Sequence, residues 1–479
     1  MQKITLSLSN IRISMLALMM VFGMFFYSTA NAADITYGAV TGDWTDANWT
    51  PQAPVAGDNI IIPTGAILTV STDLSATVFN KVTVNEGGKL IISATGNLNI
   101  QQTTALTTVL NIVGGEVSNA GTLTIKQMLA NTSTVPLQFS ENANVEGKFT
   151  NTGTLLIDNT ASSNTSTSGK CISFTQTSQI SRMKFGGTMT FNSKTGARFI
   201  EVMSNAKVEF DGTAVIGSTS DYKNFRLMHF GSSCTVTIAP TADITFYSGF
   251  AATNGAITFS NNQVVQVTNK GKLTIYGGPA VTGYGLYINP QLASSLNGNS
   301  TFTNEGTLII DGNFPLGCIY LNGANANTLA SFINTSSATA TLKNSGVTAT
   351  SVPIRASATL PTVLNNAGTM NLSSTAMDAT IATSFNTYTN TGTVNFNFTT
   401  AVDKISDLLG KVYVSGQNIY VNLVSDNSAH LQLTDMTGRI VKTALLSNQN
   451  NSLSVNNLKG IYIIRITSEK GYFTQKVNL

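Results

Sequence analysis

Charge is what this sequence has least of. Asp, Glu, Lys and Arg make up 10% of its 479 residues, against about 25% in an ordinary soluble domain. Alongside 42% hydrophobic residues, so little charge excludes an acidic or basic disordered chain. A net charge of +3, with no basic cluster interleaved with aromatics, leaves no case for nucleic acid. The three cysteines, Cys171, Cys234 and Cys318, are too few and too far apart for a disulfide framework. Each adjoins β-forming residues ("CISF", "CTVTI", "CIYL") and reads as a small core residue. His229 and His430 are the only histidines, without zinc-site spacing. No Asp-x-Asp or Gly-Gly-x-Gly-x-Asp run suggests a Ca²⁺ loop, and no Gly-x-Ser-x-Gly suggests a nucleophile elbow. The sequence therefore calls for no metal and no cofactor.

Long apolar runs are also scarce. The one near the start, "MLALMMVFGMFFY" (Met15–Tyr27), follows Lys3 and Arg12 and precedes Ala30-Asn31-Ala32. A basic start, a short apolar stretch and a small-x-small exit describe a secretory signal peptide over residues 1–32, cleaved after Ala32. Past it, no stretch approaches the 18 or so apolar residues of a membrane-spanning helix.

Thr, Asn, Ser and Gly fill the gap, and they recur in a phrase. "FTNEGTLII" starts at Phe302, and related copies start at Val117, Phe149, Val267, Leu364 and Tyr388. The shared pattern is φ-x-Asn-x-Gly-Thr-φ-x-φ, where φ is apolar. Alternation with period two signals half-buried strands, and Asn-x-Gly signals a turn between them. The corner asparagines are Asn119, Asn151, Asn269, Asn304, Asn344, Asn366 and Asn390. Spacings of roughly 20–50 residues mark a solenoid or propeller, and the shorter ones cannot hold a four-stranded blade. The predicted fold is all-β: a parallel, right-handed β-helix, with Leu308 and Ile310 pointing inward. The corner amides form a ladder, and Gly306 supplies positive φ. Between Asn151 and Asn269 the phrase fades while the strands continue.

A stack of coils has two ends to cap. "GDWTDANWTPQAPVAGDNIIIPTG" holds both tryptophans, Trp44 and Trp49. This opening resembles the start of bacterial β-solenoid surface proteins and, loosely, the G8-type module, which implies a cap. At the other end "AVDKISDLLG" (Ala401–Gly410) places Val402, Ile405, Leu408 and Leu409 on one helical face, a lid or linker. The expected organisation is signal peptide 1–32, cap and first rungs 33–80, repeats 81–400, linker helix 401–410 and a separate tail 411–479.

The tail has about seven short strands with turns every 8–12 residues, as in an Ig-like sandwich. Three of its pieces, "LQLTDMTGRIV" (Leu431–Val441), "NLKGIYIIRI" (Asn457–Ile466) and the terminal "QKVNL", resemble the type A C-terminal sorting domain of the type IX secretion system of Bacteroidetes. The residues carrying the match are Asp435, Gly438, Arg439, Gly460, Tyr462, Arg465 and Lys476. The family often has Pro-x-Gly where this chain has Leu458-Lys459-Gly460. The resemblance implies partners: the type IX translocon, a sortase-like protease that removes the tail, and surface lipopolysaccharide as an anchor. It implies a protein secreted or held on the outer cell surface after passage through the periplasm.

Inside the solenoid the one charge-dense stretch runs from Arg182 to His229. Alternation puts Arg182 and Lys184, and then Lys207, Glu209 and Asp211, on outward faces. A 25-residue coil would set Arg182 beside Lys207 and Lys184 beside Glu209. Arg182, Lys184, Lys207 and Glu209 thus form a candidate binding patch, with Phe191, Phe199, Tyr222 and Phe225 near enough to make a sugar-stacking platform. Two readings follow. One is a non-catalytic surface solenoid that is adhesive, structural or glycan-contacting, with a glycan or host-surface ligand. The other is a polysaccharide lyase or glycoside hydrolase using Glu209 and Asp211, with Lys184 as base, since glycoside hydrolysis needs two carboxylates.

Overall fold

The computed structural model describes residues 32–46, 48–130, 134–161, 169–193, 197–203, 205–259, 264–290, 299–323, 329–345, 353–357, 361–373, 385, 387–396, 409–415, 417–423, 428–435, 439–447, 449–468 and 471–479. The signal-peptide stretch 1–31 and most of the expected linker helix, 401–408, lie outside them. Leu409 and Gly410, assigned to that helix from the sequence, open a strand instead, Leu409–Ser415. The chain divides into two compact units, 1–398 and 399–479.

The first unit is a parallel β-helix. Each full coil contributes strands to three faces, here called A, B and C, and each strand pairs in parallel with its equivalent one coil away. Face A runs from Asp34–Tyr37 to Ile354–Ala356, and face B from Thr41–Asp43 to Thr387–Asn390. Face C runs from Asp73–Phe79 to Thr393–Phe396. The pleat sends alternate residues inward, so like side chains stack along the axis. Leu273, Leu308 and Ala340 share one register, and Ile275, Ile310 and Leu342 another. All six are fully buried, and each buried Leu or Ile contributes about 1.5–3 kcal/mol relative to exposure. Phe139 and Phe174 stack at 4.5 Å on the same principle. The three cysteines are free and buried.

The tryptophans close the first edge. Trp49–Thr50 pairs antiparallel with Asp34–Tyr37, so this end of face A offers no open parallel edge to another chain. Trp44 packs on Trp49 at 5.0 Å and on Phe79 at 4.8 Å, and the Trp49 indole donates to the Trp44 carbonyl.

The corner between faces B and C carries the amide ladder. Asn119 donates to Asn151, and a second run links Asn269, Asn304, Asn334, Asn366 and Asn390 at 2.8–2.9 Å. Each amide but the last, Asn390, also reaches a backbone carbonyl of the next coil, as Asn304 does to Thr339 at 3.1 Å. Two sequence expectations need correction here. The ladder uses Asn334, in "FINTSSATATL", rather than Asn344. Asn344 ends its face C strand and bonds to the backbone of Phe314. Gly306 is not among the positive-φ residues. It is glycine because a Cβ there would lie 2.1 Å from the Gly271 carbonyl oxygen of the coil below. The corner needs close approach, not a left-handed backbone. Replacing Asn304 with Leu should strip four amide contacts and lower stability by about 1–3 kcal/mol. The exposed neighbour Glu305, changed to Ala, should cost less than about 0.5 kcal/mol. Equal melting shifts for the two would remove the ladder from the stability argument.

The ladder's gap has a structural cause. Thr150 pairs with Lys184, which sets Asn151 over Phe185, and Phe185 pairs with Gly212. The later ladder instead descends from Phe210 through Ile238 to Asn269. The corner has stepped back by two residues, from Gly212 to Phe210, within one coil. Strand Lys207–Ile216 absorbs the step by running from face B into face C without a break. Face C is interrupted there: among the described residues, Thr188–Asn192 pairs with Thr154–Asp158 and with no later strand, and Thr213–Ile216 pairs only onward, with Asp243–Phe246.

The second unit is two antiparallel sheets. One holds Leu409–Ser415, Asn418–Leu423 and Asn450–Ser454, and the other Ile440–Leu446, Ala429–Asp435, Ile461–Ser468 and Gly471–Asn478. They share a small core including Leu431, Leu433, Ile464 and Ile466. This is the Ig-like arrangement expected from the turn spacing.

Candidate functional site

The charge-dense stretch forms a column down face B. Lys89, Glu116, Lys148, Arg182 and Glu209 occupy one outward register on successive coils. The coil here is 27 residues long, so Arg182 pairs with Glu209 and Lys184 with Asp211, while Lys207 lies beside Ile180. The expected pairings of Arg182 with Lys207 and Lys184 with Glu209 are thus off by two residues. Because two is even, every side chain still faces the predicted way.

Ion pairs follow the register. Lys89 meets Glu116 at 3.2 Å, and Lys148 and Arg182 both meet Glu146, at 3.3 and 3.2 Å. Arg182 also pairs with Glu209, and Lys184 with Asp211 at 3.7 Å. Asp211 is held below the usual carboxylate range, first by a hydrogen bond from Thr241 and then by the Gly212 amide and Lys184. Burial alone would raise the Glu146 carboxyl, but Arg182 and Lys148 more than offset it. Lys207 is exposed, at the side of a shallow cavity of about 160 Å³ that Glu209, Thr235 and Thr237 also line. The aromatic platform expected beside this patch does not form. Phe191, Phe199 and Phe225 are buried and pack on one another, tilted, inside the coils, and Tyr222 meets Tyr247 of face C.

Face A holds a second charged group that the sequence pattern did not disclose. Ser173, Glu201, His229 and Thr258 share an outward register, continued by Tyr287, Tyr320 and Arg355. Yet Glu201 is 0% and His229 3% exposed. Lys170 and Arg198 both pair with Glu201, and His229 Nδ1 lies 3.4 Å from it. Burial by itself would raise the Glu201 carboxyl; His229, Lys170 and Arg198 overcome that and hold it at about 2. Burial pushes the His229 imidazole down to about 4, against the pull of Glu201. Arg226, next in register after Arg198, lies over the Phe250 ring at 5.3 Å. The group is an ionised carboxylate and a neutral imidazole among three cations, a lock on the outside of the sheet.

Tyrosines make two outward rows. On face A, Tyr287 and Tyr320 stack at 5.4 Å with Tyr284 against both. On face C, Tyr247 and Tyr276 stack at 4.9 Å, and Tyr222 meets Tyr247 edge-on.

In the tail, the residues of the sorting resemblance hold turns. Asp435 accepts from the Arg439 amide and guanidinium, both at 3.1 Å, and returns its own amide to the Arg439 carbonyl. Gly438 lies outside the described residues. Gly460, at φ 111°, exchanges two backbone hydrogen bonds with Leu479, tying down the chain end. Tyr462 sits between Asp435 and Val477 in the sheet, and its hydroxyl reaches the Lys459 carbonyl. Arg465 pairs with Gln432 and Thr474, and the Lys476 backbone with Ile463.

Comparison with known families agrees with this. Residues 415–479 match the model of the secretion system C-terminal sorting domain. No curated protein and no solved structure matches the chain. The chain is therefore a cargo of the type IX secretion system, delivered to the medium or the outer cell surface.

Proposed function

We propose that the passenger of this type IX cargo is a non-catalytic β-solenoid that contacts glycans along its lateral faces. On this reading a signal peptide over residues 1–32 carries it to the periplasm. A sortase-like protease removes the tail outside, and lipopolysaccharide holds the solenoid at the surface. The observation that carries the reading is the state of the two carboxylates an enzyme would use. Glu209 is taken by Arg182, and Asp211 by Lys184 and the Gly212 amide at 2.6 Å. A general acid needs a raised pKa; that of Asp211 is lowered.

The test is the double change Glu209→Gln with Asp211→Asn. The wild type should release no oligosaccharide from acidic or neutral polysaccharides. The double variant should melt within a few degrees of it, since exposed ion pairs contribute only about 0–1 kcal/mol each. Reproducible cleavage by the wild type, lost in the variant, would establish the enzyme reading instead.

A further inference from the structure

The interruption of face C opens a notch of about 200 Å³. Its walls are Met189 and Thr190 on one side and Val215 on the other, and its rim is the turn that holds Ser218, Asp221 and Lys223. Resting on the glycan-contact reading above, we propose that this notch binds a single neutral hexose unit of a glycan, which continues over the Tyr247–Tyr276 row.

Three observations argue for that occupant. The size is that of about seven waters in the liquid, below the roughly 300 Å³ at which pockets for drug-sized ligands begin. The lining then matches a pyranose, which has an apolar C–H face and a ring of hydroxyls. Met189 is half-buried and Val215 is 55% exposed despite being apolar, which gives the apolar wall. Asp221 and Lys223, 2.6 Å apart, offer an acceptor and donors side by side, as vicinal hydroxyls require. Since Asp221 neutralises Lys223, the site favours a neutral sugar over an acidic one.

The row beyond continues the surface. Ile216 pairs with Phe246, so Gly217 stands in line with Tyr247, and Tyr247 pairs with Tyr276. A Cβ on Gly217 would lie 3.0 Å from that of Tyr247; glycine there, at φ 85°, keeps the way from notch to tyrosines clear. Aromatic faces and edges beside a polar notch suit successive sugar rings.

The experiment titrates the chain from Ala33 to Leu479 with glucose, galactose and mannose by NMR, and applies it to an array of neutral and acidic oligosaccharides. Asp221→Ala removes the acceptor, and Val215→Arg fills the mouth from an exposed position. Each should fold as the wild type and weaken binding of the preferred hexose at least tenfold, while Glu305→Ala leaves it unchanged. Array binding that both notch variants retain would overturn this site and leave the glycan-contact reading standing. Binding confined to acidic glycans would overturn the neutral class. No binding of any saccharide by the wild type would overturn site and reading together, leaving a merely hydrated notch.

Discussion

Removing Lys411–Leu479 will leave the solenoid folded and keep it inside the cell envelope. The tail has its own hydrophobic core and the match to the sorting domain. The solenoid's strands, core and corner amides all lie within residues 33–396. Surface labelling of whole cells should fall to background, while the truncated chain, released by lysis, keeps its strand-rich circular dichroism spectrum and its melting temperature. Labelling at the wild-type level would mean the address lies elsewhere. Loss of folded protein would mean the tail is part of the solenoid's structure.

Changing Glu201 to Ala should be the most damaging single substitution on the solenoid's outer surface. Among the described residues Glu201 is the one carboxylate paired with Lys170 and Arg198, and it is itself fully buried while they remain partly exposed. Deleting one partner of a fully buried ionic group costs about 3–5 kcal/mol; with Lys170 and Arg198 partly exposed the loss should fall below that range yet exceed that of Glu209→Gln on face B, which should cost less than about 1 kcal/mol. The same group fixes the acid response. His229 is held at about 4 against an ordinary 6.5, so the fold prefers it neutral. Its contribution is complete above pH 6.5 and is lost as pH falls from there to 4, because the unfolded chain takes up the proton first. Glu201, at about 2 against 4.5, contributes fully above pH 4.5 and loses its share as pH falls toward 2. Denaturant midpoints should therefore decline in two stages on acidification, and His229→Gln should flatten the upper stage. A wild-type midpoint constant between pH 7 and 4 would rule out a neutral buried imidazole.

The sequence makes some of this plain and hides the rest for physical reasons. Period-two alternation reports which way a side chain points, so inward Leu308 and Ile310 and outward Arg182 and Glu209 are readable. It does not report coil length, which depends on turns with no pattern of their own, so alternation alone does not bring Arg182 to Glu209. Corner asparagines are visible where Gly follows them; Asn334 is followed by Thr335-Ser336-Ser337 and merges with the background. Outward also does not mean exposed. Glu201 alternates like any surface residue, and only the folded turns reveal that Met203 and Gly231 lie against that register. Phe199 and Phe225 misled in the opposite direction, because strand ends at a corner pack inward out of phase. The tail was legible because an address must be read by a machine through fixed residues. A surface cleft is under no such demand, and the notch lies beside a misalignment that no single motif encodes.

That misalignment also sets a rule for how such a chain can vary. Turns between faces can lengthen by any number of residues, since they project into solvent. A strand sliding past its neighbour can move only by an even number, because a shift of one would drive Lys207 and Glu209 into the core and bring Val208 and Phe210 out. The solenoid behaves as a grating ruled at two residues, about 6.6–7 Å along a strand. Its smallest permitted fault is the one present at Gly212.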